Sequence, residues 1–176
     1  AYKRLMSAIE EISGVEVTAP YISEQTIITH GSQVRGATLT GMIPEREQRI
    51  RNVKEDVVVG NLDTLASSEV FLGWRLANEL GVNPGNRIQL VTSQGNRSYK
   101  VSGLINTGIY GKDLDTVYLS LKGAQNLLNM PNEVTGIGIR IHDIYTAREV
   151  SELIANTYNL KARNWMEDNE VILDQI

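Results

Sequence analysis

Cysteine is absent from the 176 residues of this chain. That absence excludes disulfide bonds, thiolate metal sites and cysteine nucleophiles, but it indicates no compartment, because an oxidising space permits disulfides without requiring them. Long apolar runs are lacking too, and none approaches the roughly 20 residues of a membrane-spanning helix. Histidine occurs twice and the net charge is -4. The composition therefore favours neither a metal protein nor a protein that binds nucleic acid or anionic lipid.

Catalytic motifs are also missing. The sequence contains no G-x-S-x-G elbow and no H-E-x-x-H pair. His30 and His142 each lie near the end of a predicted strand and do not have the spacing of a metal-ligand motif, so we expect them to be turn or edge residues. Acidic residues such as Asp113 and Asp115 occur near glycines, where they usually form solvated turns. We therefore predict that the chain is not an enzyme, with no catalytic residue, no cofactor-binding residue and no metal ligand.

One segment superficially resembles a phosphate-binding loop, namely Gly108 to Lys112. A phosphate loop needs an earlier glycine at the right spacing, where Asn106 stands, and a hydroxyl residue after the lysine, where Asp113 stands. We also expect the whole stretch from Asn106 to Asp115 to be a loop that opens no helix. The phosphate-loop interpretation is therefore rejected.

What is present is typical of a folded α+β protein, with 41% hydrophobic and 22% charged residues. The length suits one domain or two small ones. Apolar periodicity predicts a first helix with Tyr2, Leu5, Met6, Ile9 and Ile12 on one face. Further helices are predicted over residues 45–53, 69–80, 121–128 and 146–158 and from Trp165 onward, and strands over 15–19, 25–30, 33–42, 57–59, 88–90, 99–101, 116–119, 135–141 and 160–163.

Local signals mark where several of these elements end. Gly81 follows the helix predicted over 69–80, in the position of a left-handed cap. Ser120 is a candidate N-cap for the helix that begins at Leu121. Residues 93–96 form a tight turn between two strands of a hairpin.

Two aromatic residues are candidates for contact with a partner. Tyr110 lies between glycines in the predicted loop, where it has little to pack against, so we expect it to be exposed and available for contact with a partner or a neighbouring domain. Trp74 lies beside Gly73 in a predicted helix. We expect part of its ring to pack on the core, with partner contact as the alternative.

Short motifs in a fixed order resemble the extracytoplasmic core domain of ABC-transporter permeases, of the lipoprotein-releasing LolC and LolE type and the MacB type. The strongest stretch is LGWRLANELGVNPGNRIQL followed by YKVSGLINTG. The matching positions are Leu72-Gly73, Leu76-Ala77, Leu80-Gly81-Val82, Gly85-Asn86, Val101-Ser102-Gly103, Val117-Tyr118-Leu119, Leu127-Leu128, Gly41-Met42-Ile43-Pro44-Glu45, Val57, Gly60-Asn61-Leu62, Val134-Thr135-Gly136-Ile137 and Asn164-Trp165. The resemblance covers nearly the whole chain.

The resemblance implies a two-part fold. Residues 1–43 and 133–176 would form a porter-like α/β subdomain, and residues 44–132 an inserted strand-rich subdomain. Tyr2–Ile12 and Met166–Ile176 would be stalk helices that rise from flanking transmembrane helices. The domain would lie on the extracytoplasmic side of the cell membrane, or the periplasmic side of an inner membrane.

The resemblance further implies a non-catalytic role in transport. A separate ATPase subunit or domain would hydrolyse ATP, a second identical or different permease subunit would complete the transporter, and the cargo would be a lipoprotein or a peptide. LolC-type members carry a long hairpin arm that recruits a lipoprotein carrier, whereas residues 93–96 here leave no room for one. A LolE-like partner, a MacB-like exporter and a permease without that carrier stay open. A soluble extracytoplasmic binding or signalling module is the alternative from another class.

Overall fold

The computed structural model of the chain describes residues 2–142, 147–158, 161–165 and 170–174. Helices and strands alternate irregularly along it. They are α1 Tyr2–Glu10, β1 Val15–His30, β2 Gln33–Met42, α2 Pro44–Arg51, β3 Val57–Val59, β4 Glu69–Gly73, α3 Trp74–Leu80, β5 Arg87–Thr92, β6 Gly95–Ile105, α4 Tyr110–Asp115, β7 Thr116–Ser120, α5 Leu121–Leu128, β8 Gly136–Ile141, α6 Ala147–Tyr158, β9 Lys161–Trp165 and β10 Glu170–Asp174. Short 3-10 turns cover Val53–Asp56 and Leu62–Thr64.

Six strands close into a ring. Each pairs with its neighbours in the order β1, β2, β7, β4, β6, β5, and the ring closes where Ile27–Thr29 of β1 pair with Gln89–Val91 of β5. Closure leaves these strands without a free edge. Side chains from facing strands fill the interior, and Ile28, Leu39 and Leu90 are fully buried.

A second group of strands continues from the first half of β1. Residues Val15 to Tyr21 pair with β8, β8 pairs with β10, and β10 pairs with β9. Helix α1 packs along β1, and α6 contacts β9 and β10. The 16-residue strand β1 therefore belongs to both groups. The mixed α and β class predicted from the sequence is confirmed.

The predicted division at residues 43/44 and 132/133 stays a prediction. Strands β1 and β2 belong to its first part, yet they pair with β5 and β7, which belong to its second part. The two parts thus share the ring of strands.

The segment Glu69 to Gly73 corrects the sequence-based prediction, which placed it in a helix. It forms β4, parallel to β6 and antiparallel to β7, and the helix begins only at Trp74. A short continuous apolar run fits a buried strand as well as a helix. Val70, Phe71 and Leu72 are all fully buried, which a strand covered on both faces allows.

The predicted C-terminal stalk helix over 166–176 is wrong where the chain is described. Residues 170–174 form β10, which fills the space between β8 and β9. The consecutive apolar residues Val171 to Leu173 include two β-branched side chains and favour a strand. Residues 166–169 and 175–176 of that prediction lie outside the described residues. The N-terminal helix is confirmed, with Tyr2, Met6 and Ile9 buried.

Other local predictions have mixed outcomes. Gly81 caps α3 with a φ of 68°, and the Ser120 hydroxyl accepts a hydrogen bond from the Gly123 N–H at the start of α5. The hairpin turn between β5 and β6 is confirmed as tight. The strand over 57–59 exists but is not buried, since Val58 is exposed.

Candidate functional site

The end of β4, where α3 begins, meets α4 at a very close backbone contact. Gly73 ends β4 directly before α3, and a Cβ atom added there would lie 2.2 Å from the Asp113 carbonyl oxygen in α4. Only glycine permits this approach, because real Cβ atoms do not come that near to backbone atoms. The contact sets α4 against the start of α3.

Asp113 fixes the segment that leads into α4. Its buried carboxylate accepts hydrogen bonds from the Thr107 N–H at 2.8 Å, the Thr107 hydroxyl at 2.7 Å and the Gly108 N–H at 3.1 Å. The predicted open loop over 106–115 is therefore wrong in its second half, where a six-residue helix forms. The carboxylate that suggested a solvated turn instead serves as the internal anchor of this segment.

The structure brings the two predicted contact residues together through a third. The Arg75 guanidinium carbon lies 4.3 Å from the centre of the Trp74 ring and 4.6 Å from the centre of the Tyr110 ring. Such cation–π contacts contribute roughly 0.5–1 kcal/mol at exposed sites. We call Trp74, Arg75, Ile109 and Tyr110 the aromatic patch.

The patch presents apolar surface to solvent. Tyr110 is 62% exposed and Ile109 is 61% exposed, in agreement with the exposure predicted for Tyr110. Trp74 is partly buried, as predicted, and its Nε1 is buried without a hydrogen-bond partner among the described residues. Arg75 is not among the residues predicted from the sequence to contact a partner. Its position next to Trp74 is the one feature of the sequence that could have indicated it.

A second polar cluster joins α1 to α2. The Arg46 guanidinium donates hydrogen bonds to Glu10 Oε1 and to the Thr18 carbonyl, each at 3.0 Å. The hydroxyl of the buried Thr18 also donates to Glu10 Oε1. At the other end of α2, Arg140 of β8 donates to the Ile50 carbonyl at 3.0 Å. Helix α2 is thus fastened at its first turn to α1 and β1, and at its last turn to β8.

The α1–α2 junction is expected to respond to acid. The Thr18 hydroxyl, and next the Arg46 guanidinium, lower the pKa of Glu10 from its usual 4.5, although partial burial opposes them. A carboxylate with a depressed pKa stabilises the fold above its unfolded pKa and loses that contribution as pH falls through the folded value. Below about pH 4.5 the wild type should therefore lose the stabilisation that ionised Glu10 provides, whereas a Glu10→Gln variant lacks this stabilisation at every pH.

Urea unfolding of both proteins at pH 7 and pH 3.5 measures how much the free energy of unfolding of each falls in acid. Because the pair is largely exposed, we expect a difference below about 1 kcal/mol, and an equal acid loss in the variant would contradict it.

A cavity of about 510 Å³ lies beside helix α2. Its floor is the outer face of β2 and β7, and its walls are α2 and α4. Glu47, Arg51 and Lys112 carry charge into the walls. In the sequence, Lys112 draws notice only through its likeness to part of a phosphate loop, and no local pattern marks Glu47 or Arg51, because the cavity forms from elements far apart in sequence.

The histidines have ordinary surroundings. His30 Nδ1–H donates to the Leu80 carbonyl at 3.0 Å, and His142 is exposed. Among the described residues, no group of three or more His, Asp or Glu side chains could hold a metal ion. Within that same part of the chain, no helix combines the length and apolar character required to span a membrane.

Comparison with known proteins places these features in a family context. No protein-family model matches the chain. It is 24% identical, over 99% of its length, to the lipoprotein-releasing system transmembrane protein LolC of Neisseria meningitidis serogroup B. It is 26% identical, over 86% of its length, to the protein of the same name from Xylella fastidiosa. The chain covers 46% and 40% of those two proteins, so it spans less than half of the relatives that it matches.

Solved structures show the same architecture. The extracellular domain of the noncanonic ABC-type transporter YknZ from Gram-positive bacteria superposes with a TM-score of 0.65 at 11% identity, covering 98% of this chain and 88% of that one. The periplasmic region of MacB from Actinobacillus actinomycetemcomitans gives 0.61 at 17% identity, covering 96% of this chain and 76% of that one. This chain shares the fold of these two extracytoplasmic domains. The predicted resemblance to the LolC, LolE and MacB type is confirmed.

Proposed function

We propose that the chain is the extracytoplasmic domain of an ABC-transporter permease subunit, located outside the cell membrane or inner membrane to which flanking segments tether it. The observation that carries the proposal is that sequence similarity and structural similarity point to the same kind of protein. Sequence similarity to LolC proteins extends over nearly the whole chain, and the fold matches extracytoplasmic domains of other ABC transporters. Catalysis is not assigned to this chain. An ATPase subunit or domain supplies it, and a second permease subunit completes the transporter.

The cargo that best fits the proposal is a lipoprotein, with a peptide as the second candidate. Lipoprotein is favoured because the relatives named above belong to lipoprotein-releasing systems. Co-purification of the full-length protein tests the partners. An ATPase and a second permease subunit should copurify with it in detergent, and their consistent absence would favour a binding or signalling module without a transport role.

We propose that α1 transmits motion from the membrane to the domain through Arg46. Helix α1 leads into the shared strand β1, and its last residue, Glu10, is hydrogen-bonded to Arg46 at the start of α2. Because α2 is also held by Arg140 of β8, a shift of α1 would move α2 and the strands beneath it as one body. Rigid-body movement of packed elements is a common form of switching.

The Arg46→Met variant tests this transmission. In the full-length transporter we expect cargo release per ATP hydrolysed to fall roughly tenfold, the upper part of the range for a residue that couples two sites, while assembly with the ATPase is unchanged. Arg49→Met is the matched control, since it removes a positive charge from the same helix that acts on Glu10 only at longer range and makes no hydrogen bond to a described residue of α1. Equal release per ATP in the Arg46 variant and the wild type would contradict the transmission role.

We further propose that the aromatic patch contacts a neighbouring protein of the transporter, with Tyr110 and Trp74 as its centre. Exposed aromatic and aliphatic side chains together with arginine are the composition typical of interface centres. A photo-crosslinking amino acid at Tyr110 in the full-length protein should form an adduct with the second permease subunit or the cargo. The same amino acid at Leu153, an exposed position on α6, which packs against β9 and β10, should not. Equal labelling from both positions would contradict the assignment.

A further inference from the structure

The cavity between α2 and α4 has the construction of a binding site. Its volume of about 510 Å³ falls in the range of roughly 300–1,000 Å³ that is typical of ligand pockets. The floor is polar, with the hydroxyl residues Ser23, Thr38, Thr40 and Thr116 on β1, β2 and β7. The side chains of Met42, Val53, Ile105 and Ile172 add apolar surface around this floor.

Two cations converge on the cavity. Arg51 is ion-paired with the buried Glu47 at 3.1 Å, whereas Lys112 makes no hydrogen bond or ion pair with any residue that the structure describes. The Lys112 side chain has access to solvent, yet surrounding atoms partly desolvate its ammonium group. This desolvation is the main cause that lowers the pKa of Lys112, and repulsion from Arg51 is the second. The lysine therefore lies in a position where a bound anion would stabilise it.

An independent observation on the same wall points to a missing partner. Tyr118 lines the cavity and is 3% exposed. The Thr116 side chain lies near its hydroxyl, but no hydrogen bond of normal geometry joins that hydroxyl to a described residue. Burial, with the Asp113 charge as a smaller cause, raises its pKa, so the hydroxyl stays protonated and available as a donor. Native proteins leave few buried polar groups without a partner, because such a group has lost its hydrogen bonds to water without gaining others.

The local charge decides which anion fits. The cations Arg51 and Lys112 share the lining with the carboxylates of Glu47, Asp56 and Asp115, and Glu47 is paired with Arg51 on the same helix, so the lining carries more negative than positive charge. A lining of this charge repels a dianionic phosphate more strongly than a single carboxylate, and a carboxylate placed between Arg51 and Lys112 is attracted by both cations at short range. The row of hydroxyl residues, with apolar side chains beside it, suits the amide groups and side chains of a peptide.

We infer that the cavity between α2 and α4 binds a short peptide segment that bears a carboxylate, with the carboxylate between Arg51 and Lys112 and the peptide chain along the hydroxyl residues of β1, β2 and β7. The inference stands apart from the transport role, because the cavity lies within this chain. The site would serve equally in a transporter subunit or in a free binding module.

Titration of the isotope-labelled chain with a defined probe tests the inference. The probe is N-acetyl-tetra-alanine with a free C-terminal carboxylate, followed by backbone amide chemical shifts. We expect saturable shifts at Thr40, Lys112 and Thr116, with the C-terminal amide of the same peptide binding roughly tenfold more weakly, as expected for the loss of a charge-assisted hydrogen bond. Shifts that do not saturate, or that map elsewhere, would overturn the site.

Variants separate the site from general effects on the fold. Lys112→Met should weaken the carboxylate peptide roughly tenfold, while Lys122→Met, an exposed lysine on α5 outside the cavity, should leave it unchanged. Thr40→Val, a second variant, keeps the volume of the side chain but removes its hydroxyl. It should weaken the binding of the carboxylate peptide and of the amide peptide by the same factor. Unchanged affinity in the Lys112 and Thr40 variants would overturn the inference. Inorganic phosphate that binds at the same amides more tightly than the peptide would show that the ligand class is wrong.

Discussion

Replacement of Asp113 by alanine is expected to lower the free energy of unfolding by about 3 kcal/mol. The buried carboxylate accepts three hydrogen bonds from Thr107 and Gly108. Its removal leaves a cavity at a buried position and takes the acceptor from both Thr107 donors, whereas the Gly108 N–H keeps Asn106 Oδ1 at 2.9 Å. Bonds to charged groups contribute roughly 1.5–3 kcal/mol, and unsatisfied buried donors add to the loss. Urea or thermal unfolding of the chain at neutral pH measures the change.

Asp115→Ala is the matched control for this experiment. Asp115 lies two residues further along α4 and accepts a hydrogen bond from Thr38 at 2.7 Å, but it is exposed. Its removal should cost less than about 1 kcal/mol, because water can replace an exposed partner. Equal losses in the two variants would show that Asp113 does not anchor the segment before α4, and the orientation of the aromatic patch would then need another explanation.

Gly73→Ala is expected to have an effect of similar size, about 3 kcal/mol. The added Cβ would lie 2.2 Å from the Asp113 carbonyl oxygen and 2.8 Å from its carbonyl carbon. Overpacking costs typically 1–3 kcal/mol, and here the obstacle is backbone rather than a flexible side chain. Helix α4 would have to move away from α3, so the contact between Arg75 and Tyr110 should weaken as well.

Two other glycines provide controls for Gly73. Gly36 in β2 and Gly111 in α4 have no atom within 4 Å of an added Cβ and no positive φ. Gly36→Ala should be close to neutral, and Gly111→Ala should stabilise the short helix by up to about 1 kcal/mol. Stability of the Gly73 variant within 1 kcal/mol of the wild type would contradict the close contact between β4 and α4.

Elements with local signals could be predicted from the sequence. The first helix follows from its apolar spacing, α5 from the Ser120 cap, and the end of α3 from Gly81. The hairpin of β5 and β6 follows from alternation around a tight turn. In each of these cases the information lies within a few residues of the element, so no tertiary contact had to be known.

Elements decided by distant partners could not be predicted. Residues 69–73 read equally well as helix or strand, and pairing with β6 and β7 makes them a strand. Residues 170–174 lie in a predicted helix, but the open edge of β8 pairs with them. The same limit applies to the sites, since Arg75 joins Trp74 and Tyr110, which are 36 positions apart, and the cavity lining combines α2, α4 and five strands. Only the exposure of Tyr110 and the partial burial of Trp74 could be foreseen.

Release of lipoprotein from a membrane tests the central claim most directly. The full-length protein, reconstituted in proteoliposomes with its ATPase and any second permease subunit, would be supplied with a fluorescently labelled lipoprotein and a soluble acceptor. We expect ATP-dependent release that stops when the ATPase is inactive and that is lost when residues 2–174 are replaced by a flexible linker, with the complex still assembled. ATP-dependent release at the same rate without this domain would contradict the account.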